Sequence, residues 1–397
     1  MYRAFYRRLT NCLLAGSLLV STLAFAQQPR WLDPANDLDN LPTDGSILFW
    51  QGDQQIAGFR NIPLLSPTRT ISASDNPMPL PEQPRDFSDF SYTVQGQSFS
   101  LDDYMQHNHV VGLLVLKDGE IALEKYGLGN TADDVWVSFS VTKSVVSLLT
   151  GAAIVDGYME SVDDPVTDYL PRLKGSSYDA VSVKNVLQMA SGVEWNEDYA
   201  DPTSDVATSP NDVVELFHFM GAKDRVAAPG ERFNYNTGET NLAGAILRAA
   251  IGNNLATYLT HRIWQPWGME SDAYWITHGP GGGELGGCCI NATLRDWGRL
   301  ALFILNDGVL HDGTQVLPEG WMTESIAPSE GSDGYGYLWW LAGDGSWRAS
   351  GIFGQGIYFN PATNLAIVVQ GAWPQATGAA FGRHRDAFFQ AVDNGLE

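Results

Sequence analysis

Lysine is scarce in this chain: six in 397 residues, and with arginine only 23 cations against 46 acidic groups, for a formal net charge of −23. Such a surface cannot gather the clustered Lys and Arg that phosphate backbones and anionic membranes require, so nucleic acid is excluded as a partner and the acidity reads as a solvated face. Cysteine is scarcer still. Cys12 lies in the N-terminal segment, and Cys288 and Cys289 are neighbours. Adjacent residues bridge only with distortion, so no disulfide framework is expected, and two cysteines make no zinc site. The seven histidines show neither HExxH nor HxxxH spacing, which disfavours a metal enzyme. No GxSxG sequence occurs, so nothing marks the strained strand-to-helix turn of an α/β-hydrolase.

What is present begins with an address. Arg3, Arg7 and Arg8 precede an apolar run over 12–25, and the small-x-small sequence Ala24-Phe25-Ala26 follows it. The run is shorter than the roughly 20 residues of a spanning helix and is broken by Ser17, Ser21 and Thr22. Residues 1–26 therefore read as a signal peptide and the chain as exported, periplasmic or secreted, with no stable membrane insertion after cleavage. Residues 27–84, rich in Pro, Asp and Asn, read as an irregular arm.

From there the hydrophobic period changes twice. Residues 110–126 alternate β-favouring side chains around Lys117-Asp118-Gly119-Glu120, the mark of a tight hairpin. Residues 140–155 carry Val141, Val145, Leu148, Leu149 and Ala152 at helical spacing, stopped by Asp156-Gly157. Helical patterns broken by Pro, Gly and Asn follow at 183–189, 211–219, 240–250 and 255–264. The tail returns to strands at 335–341, 354–360 and 365–370, with a last helix over 379–392. The expected fold is α+β: an antiparallel sheet built from both chain ends (85–160 and 281–397) with flanking helices, and an inserted mostly helical domain at 161–280.

Three short elements carry chemistry. Ser140-Val141-Thr142-Lys143 places a hydroxyl and an amine on one face of a helix start. A serine needs a base, and a lysine serves only when burial lowers its pKa; Trp136, Phe139, Val141 and Val145 are apolar neighbours able to do this. Of the six lysines only Lys143 has a serine three residues before it. Taken alone, the motif equally describes a serine that caps a helix beside a solvent-facing lysine. Tyr235, in Phe233-Asn234-Tyr235-Asn236-Thr237, stands before the next long helix, where its hydroxyl can relay a proton or the ring can simply pack. In Ala349-Ser350-Gly351-Ile352-Phe353-Gly354, small residues allow close approach of a substrate, and the amide of Ile352 can join that of Ser140 in an oxyanion hole; the glycines also suit a plain bulge.

In this order the elements resemble the serine β-lactamase and penicillin-binding superfamily. Three longer stretches are similar to its branch of class C β-lactamases, family VIII carboxylesterases and 6-aminohexanoate-dimer hydrolases: Trp136-Val137-Ser138-Phe139-Ser140-Val141-Thr142-Lys143-Ser144, Leu187-Gln188-Met189-Ala190-Ser191-Gly192-Val193-Glu194-Trp195, and Trp264-Gln265-Pro266-Trp267-Gly268-Met269. The arm sequence Phe59-Arg60-Asn61-Ile62-Pro63-Leu64-Leu65 resembles the extension of the nylon-oligomer hydrolases, so the likeness runs from about residue 45 to 371. The resemblance implies Ser140 as acylated nucleophile, Lys143 as its base and Tyr235 as proton relay, with the amides of Ser140 and Ile352 as oxyanion donors. It also places Tyr199, Thr237, Ser350 and Gly351 against a small ester or amide substrate, with no cofactor and no metal; Tyr199 is equally readable as packing. Two departures stand out: Thr237 replaces the Asn of a Tyr-x-Asn motif, and Ala349-Ser350-Gly351 replaces Lys-Thr-Gly. The lost lysine removes a cation that would hold a β-lactam carboxylate. It fits an esterase or amidase better than a β-lactamase or D-Ala-D-Ala peptidase, and it also suits a penicillin- or muropeptide-binding protein with slow or no turnover. Trp195, Trp339, Trp340 and Trp347 are candidates for an aromatic pocket.

Overall fold

The computed structural model describes residues 37–43 and 46–396. The signal peptide read over 1–26 lies outside them, as does the start of the arm. In chain order the strands are β1 (Thr68–Ile71), β2 (Ser91–Val94), β3 (Gln97–Ser100), β4 (Val110–Lys117), β5 (Glu120–Tyr126), β6 (Val135–Val137), β7 (Ala273–Ile276), β8 (Ile290–Thr293), β9 (Trp340–Leu341), β10 (Trp347–Gly351), β11 (Gln355–Asn360) and β12 (Leu365–Gly371).

The main sheet has the order β5-β4-β12-β11-β10-β9, and every pairing in it is antiparallel. Within it β4 pairs with β12, Val115 opposite Ile367, so the two chain ends close one sheet as expected. Both faces of these strands are covered, which is why Val110–Lys117 is an almost unbroken apolar run. Leu113 and Val115 pack with Tyr104, Phe388 and Val392 beneath the C-terminal helix Ala379–Gly395. Leu114 and Leu116 turn the other way, into the large core shared with Val145, Leu149 and Trp297. Against that face lie the helices Val141–Val155 and Leu294–Leu305.

Between the strand groups the chain is mainly helical, with helices Val183–Leu187, Val213–Gly221, Thr237–Ile251 and Leu255–Leu259 among others. The Thr237–Ile251 helix packs directly on Val141–Val155, which fixes Tyr235 relative to Ser140. A second sheet, β1-β7-β8-β6, was not foreseen. It matters because β6 ends at Val137, and Ser138 then opens the turn that leads into Ser140 and the helix behind it.

Two expectations need correction. The arm is not irregular: it carries the helix Gly52–Arg60, and β1 pairs with β7. Phe59 and Ile62 are fully buried, and the buried Arg60 holds Asp37 at 2.9 Å, so the arm has anchors that its Pro and Asn content conceals. Residues 335–341 do not form a strand beyond Trp340–Leu341; Leu338 adopts φ 63°, and Tyr335, Tyr337 and Trp339 alternate because a turn buries them. Cys288 and Cys289 are joined only to each other, which is no disulfide framework. The bond closes a local ring and ties no distant segments.

Candidate active site

β6 pairs with β8, Val137 opposite Asn291, and delivers the chain into a tight turn. Ser138 N donates to Ile290 O at 3.0 Å, while Ile290 N donates to Thr142 Oγ1 at 2.8 Å, so strand β8 grips both sides of the turn. Phe139 is held at φ 45°, a costly conformation for an aromatic residue. Ser140 then occupies the position before helix Val141–Val155, yet its side chain makes no capping bond. The hydroxyl is thereby left for another partner.

That partner is Lys143, one turn on. Its Nζ donates to Ser140 Oγ at 2.9 Å and to Gly287 O at 2.7 Å. Lys143 is 1% exposed, so the alternative of a capping serine beside a wet lysine does not hold. Burial pushes its pKa down to about 8, with the Glu197 carboxylate opposing the shift. Gly287 is positioned in turn by Asn241, whose Oδ1 accepts from Gly287 N at 2.9 Å.

Tyr235 comes to the same point from the helical region. Asn236 caps the Thr237–Ile251 helix by accepting from Glu239 N at 2.9 Å, which sets the Tyr235 backbone. The Tyr235 ring stacks on Trp340 at 5.4 Å between centroids, and Lys143 Nζ lies 5.4 Å from its centre. Ser140 is close enough to favour ionisation of its hydroxyl. Burial and then Glu197 raise the phenol pKa, so it stays protonated at neutral pH.

Glu197 was not picked out from the sequence. Tyr199 Oη donates to it at 2.5 Å, Thr237 N at 3.0 Å, and Trp195 Nε1 and Thr237 Oγ1 also bond to it. Tyr199 and Thr237 thus reach the site as donors to one carboxylate, and Thr237 holds that acid in place. Nothing local distinguished Glu197 from the other acids of this acidic chain; only its place two residues from both Trp195 and Tyr199 offered a hint.

The third element closes the site from the sheet. A Cβ at Gly351 would sit 2.5 Å from Ser138 O and 3.1 Å from Ser140 N, so only glycine lets the end of β10 lie against the turn that carries Ser140. Ile352 follows immediately and lines the same two cavities as Ser140. The flanking residues Phe139 and Phe353 both have positive φ. The arm's Phe59 contacts both rings, with centroids 5.0 and 5.2 Å away, and so supports the two strained residues together.

Two cavities meet at Ser140, Tyr199 and Ile352. One, of about 660 Å³, runs under the arm between Trp50, Leu65, Pro210, Ile276 and Leu285, with Cys288 and Thr237 in its wall. The other, of about 570 Å³, is bounded by Tyr235, Trp340, Trp373, Ser350 and Gly351 and includes Arg348 and Arg385. Of the four candidate tryptophans only Trp340 lines a cavity at Ser140; Trp195, Trp339 and Trp347 are buried in the core. Trp373 was missed. Among the described residues no group of three or more His, Cys, Asp or Glu could hold a metal, and no helix is long and apolar enough to cross a membrane.

Comparison with known proteins follows the same lines. The chain is 29% identical over 301 residues to a 6-aminohexanoate-dimer hydrolase of Paenarthrobacter ureafaciens, covering 69% of this chain and 75% of that one. Among solved structures, a putative 6-aminohexanoate-dimer hydrolase from Bacillus anthracis superposes with a TM-score of 0.77 at 20% identity, covering 86% of this chain and 94% of that one. A class C β-lactamase gives a TM-score of 0.56 at 20% identity, over 75% and 94% of the two chains. These structural likenesses speak to the fold. A sequence profile described as Beta-lactamase matches residues 100–388, a span that holds the serine, the lysine, the tyrosine and the whole main sheet, and the chain accordingly belongs to the β-lactamase family of serine hydrolases.

Proposed function

We propose that this protein hydrolyses a linear ester or amide through an acyl-enzyme on Ser140, in the manner of a carboxylesterase or a 6-aminohexanoate-dimer hydrolase. Ser140 Oγ attacks the carbonyl carbon as its proton passes to neutral Lys143. The amides of Ser140 and Ile352 stabilise the oxyanion, and the leaving group takes a proton through Tyr235 as the carbon–heteroatom bond breaks. Water then attacks the acyl carbon and releases the acid, restoring Ser140.

The observation that carries this reading is the 2.9 Å contact between Ser140 Oγ and a buried lysine amine whose pKa lies near 8. A measurable share of such a lysine is neutral at pH 7, and a neutral amine is a base. The relative from Paenarthrobacter ureafaciens, named as a 6-aminohexanoate-dimer hydrolase, supports the choice of a linear substrate. Ala349, in place of a lysine, argues against a β-lactam.

The test is hydrolysis of a short p-nitrophenyl ester, a linear aminohexanoate dimer and a chromogenic cephalosporin by the purified protein. Turnover of an ester or the dimer, lost in Ser140→Ala, is expected. Undiminished turnover in that variant refutes the mechanism. Stoichiometric labelling of Ser140 by a penicillin, without turnover of any substrate, replaces the hydrolase by a penicillin-binding protein.

A further inference from the structure

Two adjacent cysteines, in a chain with only one other, take no part in the acyl-transfer chemistry. Among the described residues Cys288 and Cys289 are the only cysteines, and they are bonded to each other. Cys289 is fully buried, in a cluster with Trp136, Phe139 and Phe353. Cys288 is half-buried and lines the larger cavity together with Ser140, Tyr199 and Thr237. One member of the pair thus belongs to the packed core and the other to the wall of the cavity that holds Ser140.

The backbone is gripped on both sides of the pair. Gly287 O accepts from Lys143 Nζ at 2.7 Å, and Gly287 N donates to Asn241 Oδ1 at 2.9 Å. A Cβ at Gly286 would collide with Thr240 O, and one at Gly287 would sit 2.8 Å from Thr237 Cγ2, so both glycines press against the helix Thr237–Ile251. On the other side Cys289 O accepts from Ile276 N at 3.1 Å, and Ile290 holds Ser138 and Thr142 around the turn of Ser140. The two cysteines are therefore the span between the carbonyl that holds Lys143 and the strand that holds Ser140. Two thiols need more room than two bonded sulfurs, because they must separate to van der Waals contact. The core around Cys289 is close-packed and offers none, whereas the cavity lies on the Cys288 side. Opening the bond drives Cys288 toward the cavity and pulls on Gly287, its neighbour in the chain.

We propose that Cys288–Cys289 is a thiol–disulfide exchange site that governs Ser140: turnover is full with the bond closed and falls when an external dithiol opens it. This rests on the acyl-enzyme reading above. One thiolate of the dithiol attacks Sγ of the half-buried Cys288, and the bond between the cysteines breaks as Cys289 leaves as a thiolate and takes a proton. The second thiol of the reductant then attacks the reductant's own sulfur in the mixed disulfide, which releases the oxidised reductant as a cyclic disulfide and Cys288 as a thiol. Two electrons and two protons pass from the dithiol to the cysteines. A monothiol is the poorer reductant here, since Cys289, one residue away, expels it from the mixed disulfide and restores the bond.

The test reduces the whole protein in its native state with dithiothreitol, removes the reductant without oxygen, and measures hydrolysis of a p-nitrophenyl ester. A separate portion is treated with iodoacetamide, and its mass counts the thiols. Reduction is expected to add two alkylated thiols and to lower kcat/KM about tenfold or more, the scale of a small misplacement of a catalytic group, with the near-UV circular dichroism of the fold retained. Reoxidation with diamide is expected to restore activity. Cys288→Ser/Cys289→Ser, which cannot close the bond, is expected to stay at the lowered rate and to ignore both reagents. Unchanged turnover in protein that carries two alkylated thiols overturns the proposal, as does a loss of turnover that tracks unfolding, or a pair of thiols that persists after diamide. Should Ser140→Ala keep its turnover, and that turnover still fall on reduction, the acyl-enzyme reading fails and the exchange site stands.

Discussion

The depressed pKa of Lys143 makes the pH dependence of this protein a direct test of its chemistry. An ordinary lysine near 10.5 would be neutral in fewer than one molecule in a thousand at pH 7, whereas one titrating at about 8 is neutral in roughly 9% at pH 7, half at pH 8 and about 90% at pH 9. If the neutral amine is the base, kcat/KM for an uncharged p-nitrophenyl ester rises about tenfold between pH 7 and 9, after subtraction of spontaneous hydrolysis, with a midpoint near 8. Glu197 supplies the sign check. Its negative charge favours the protonated lysine, so Glu197→Gln, which keeps an acceptor for Tyr199 and Thr237, shifts the midpoint to lower pH. A profile flat from pH 6.5 to 9, or a midpoint that moves upward in Glu197→Gln, refutes the assignment of Lys143 as base. The same shift has a cost in stability. The unfolded chain binds a proton that the fold rejects between pH 8 and 10.5, so stability rises with pH through that window. At pH 7 the fold carries the whole penalty, about 3 kcal/mol at 1.36 kcal/mol per unit.

Two further perturbations address the frame around the nucleophile. Gly351→Ala places a methyl 2.5 Å from Ser138 O and must move the Ile352 amide away from Ser140; kcat is expected to fall by about 10²–10³, the loss typical of one oxyanion donor. An unchanged burst and turnover in that variant removes Ile352 from the oxyanion site. Glu239 is buried beneath the site with its Oε1 accepting from Ser191 and Tyr178 and its Oε2 without a partner, and burial pushes its pKa up to about 8. Between pH 4.5 and 8 the unfolded chain releases a proton that the fold retains, so stability falls as pH rises through that window. Glu239→Gln keeps the acceptor and removes the ionisation; its Tm is expected to exceed that of the parent at pH 8 and to match it near pH 4.5, and equal Tm values at both pH values count against a protonated Glu239.

The serine, the lysine and the tyrosine were legible because each sits at a junction where the hydrophobic period changes, and such junctions are short-range features. The β4–β5 hairpin and the helix Val141–Val155 were readable for the same reason: Asp118-Gly119 and the apolar spacing are local. Glu197, Trp373 and the arginine pair were not. An exposed acid and an acid ringed by Trp195, Tyr199 and Thr237 look alike in one dimension, and Arg348 and Arg385 meet only because β10 and the last helix fold together. The arm misled for a related reason. Its composition resembles a loop, but Phe59 finds its partners at Phe139 and Phe353, which no local pattern reveals. The alternation at 335–341 misled in the opposite direction, since burial at a turn can imitate a strand.

The closure of the main sheet by both chain ends also sets when the protein becomes active. β4 pairs with β12, roughly 250 residues further on, and loop-closure entropy makes pairings of such high contact order slow to form. The groups around Ser140 are equally dispersed: Tyr235 belongs to the helical region, Gly287 to the approach to β8, and Ile352 to the turn before β11. A ribosome-bound chain that ends before residue 352 lacks one of the two proposed oxyanion donors, whatever local structure its helices have acquired. On the proposed mechanism Ser140 is therefore disarmed throughout synthesis, and chemistry begins only when the last strands have joined the first.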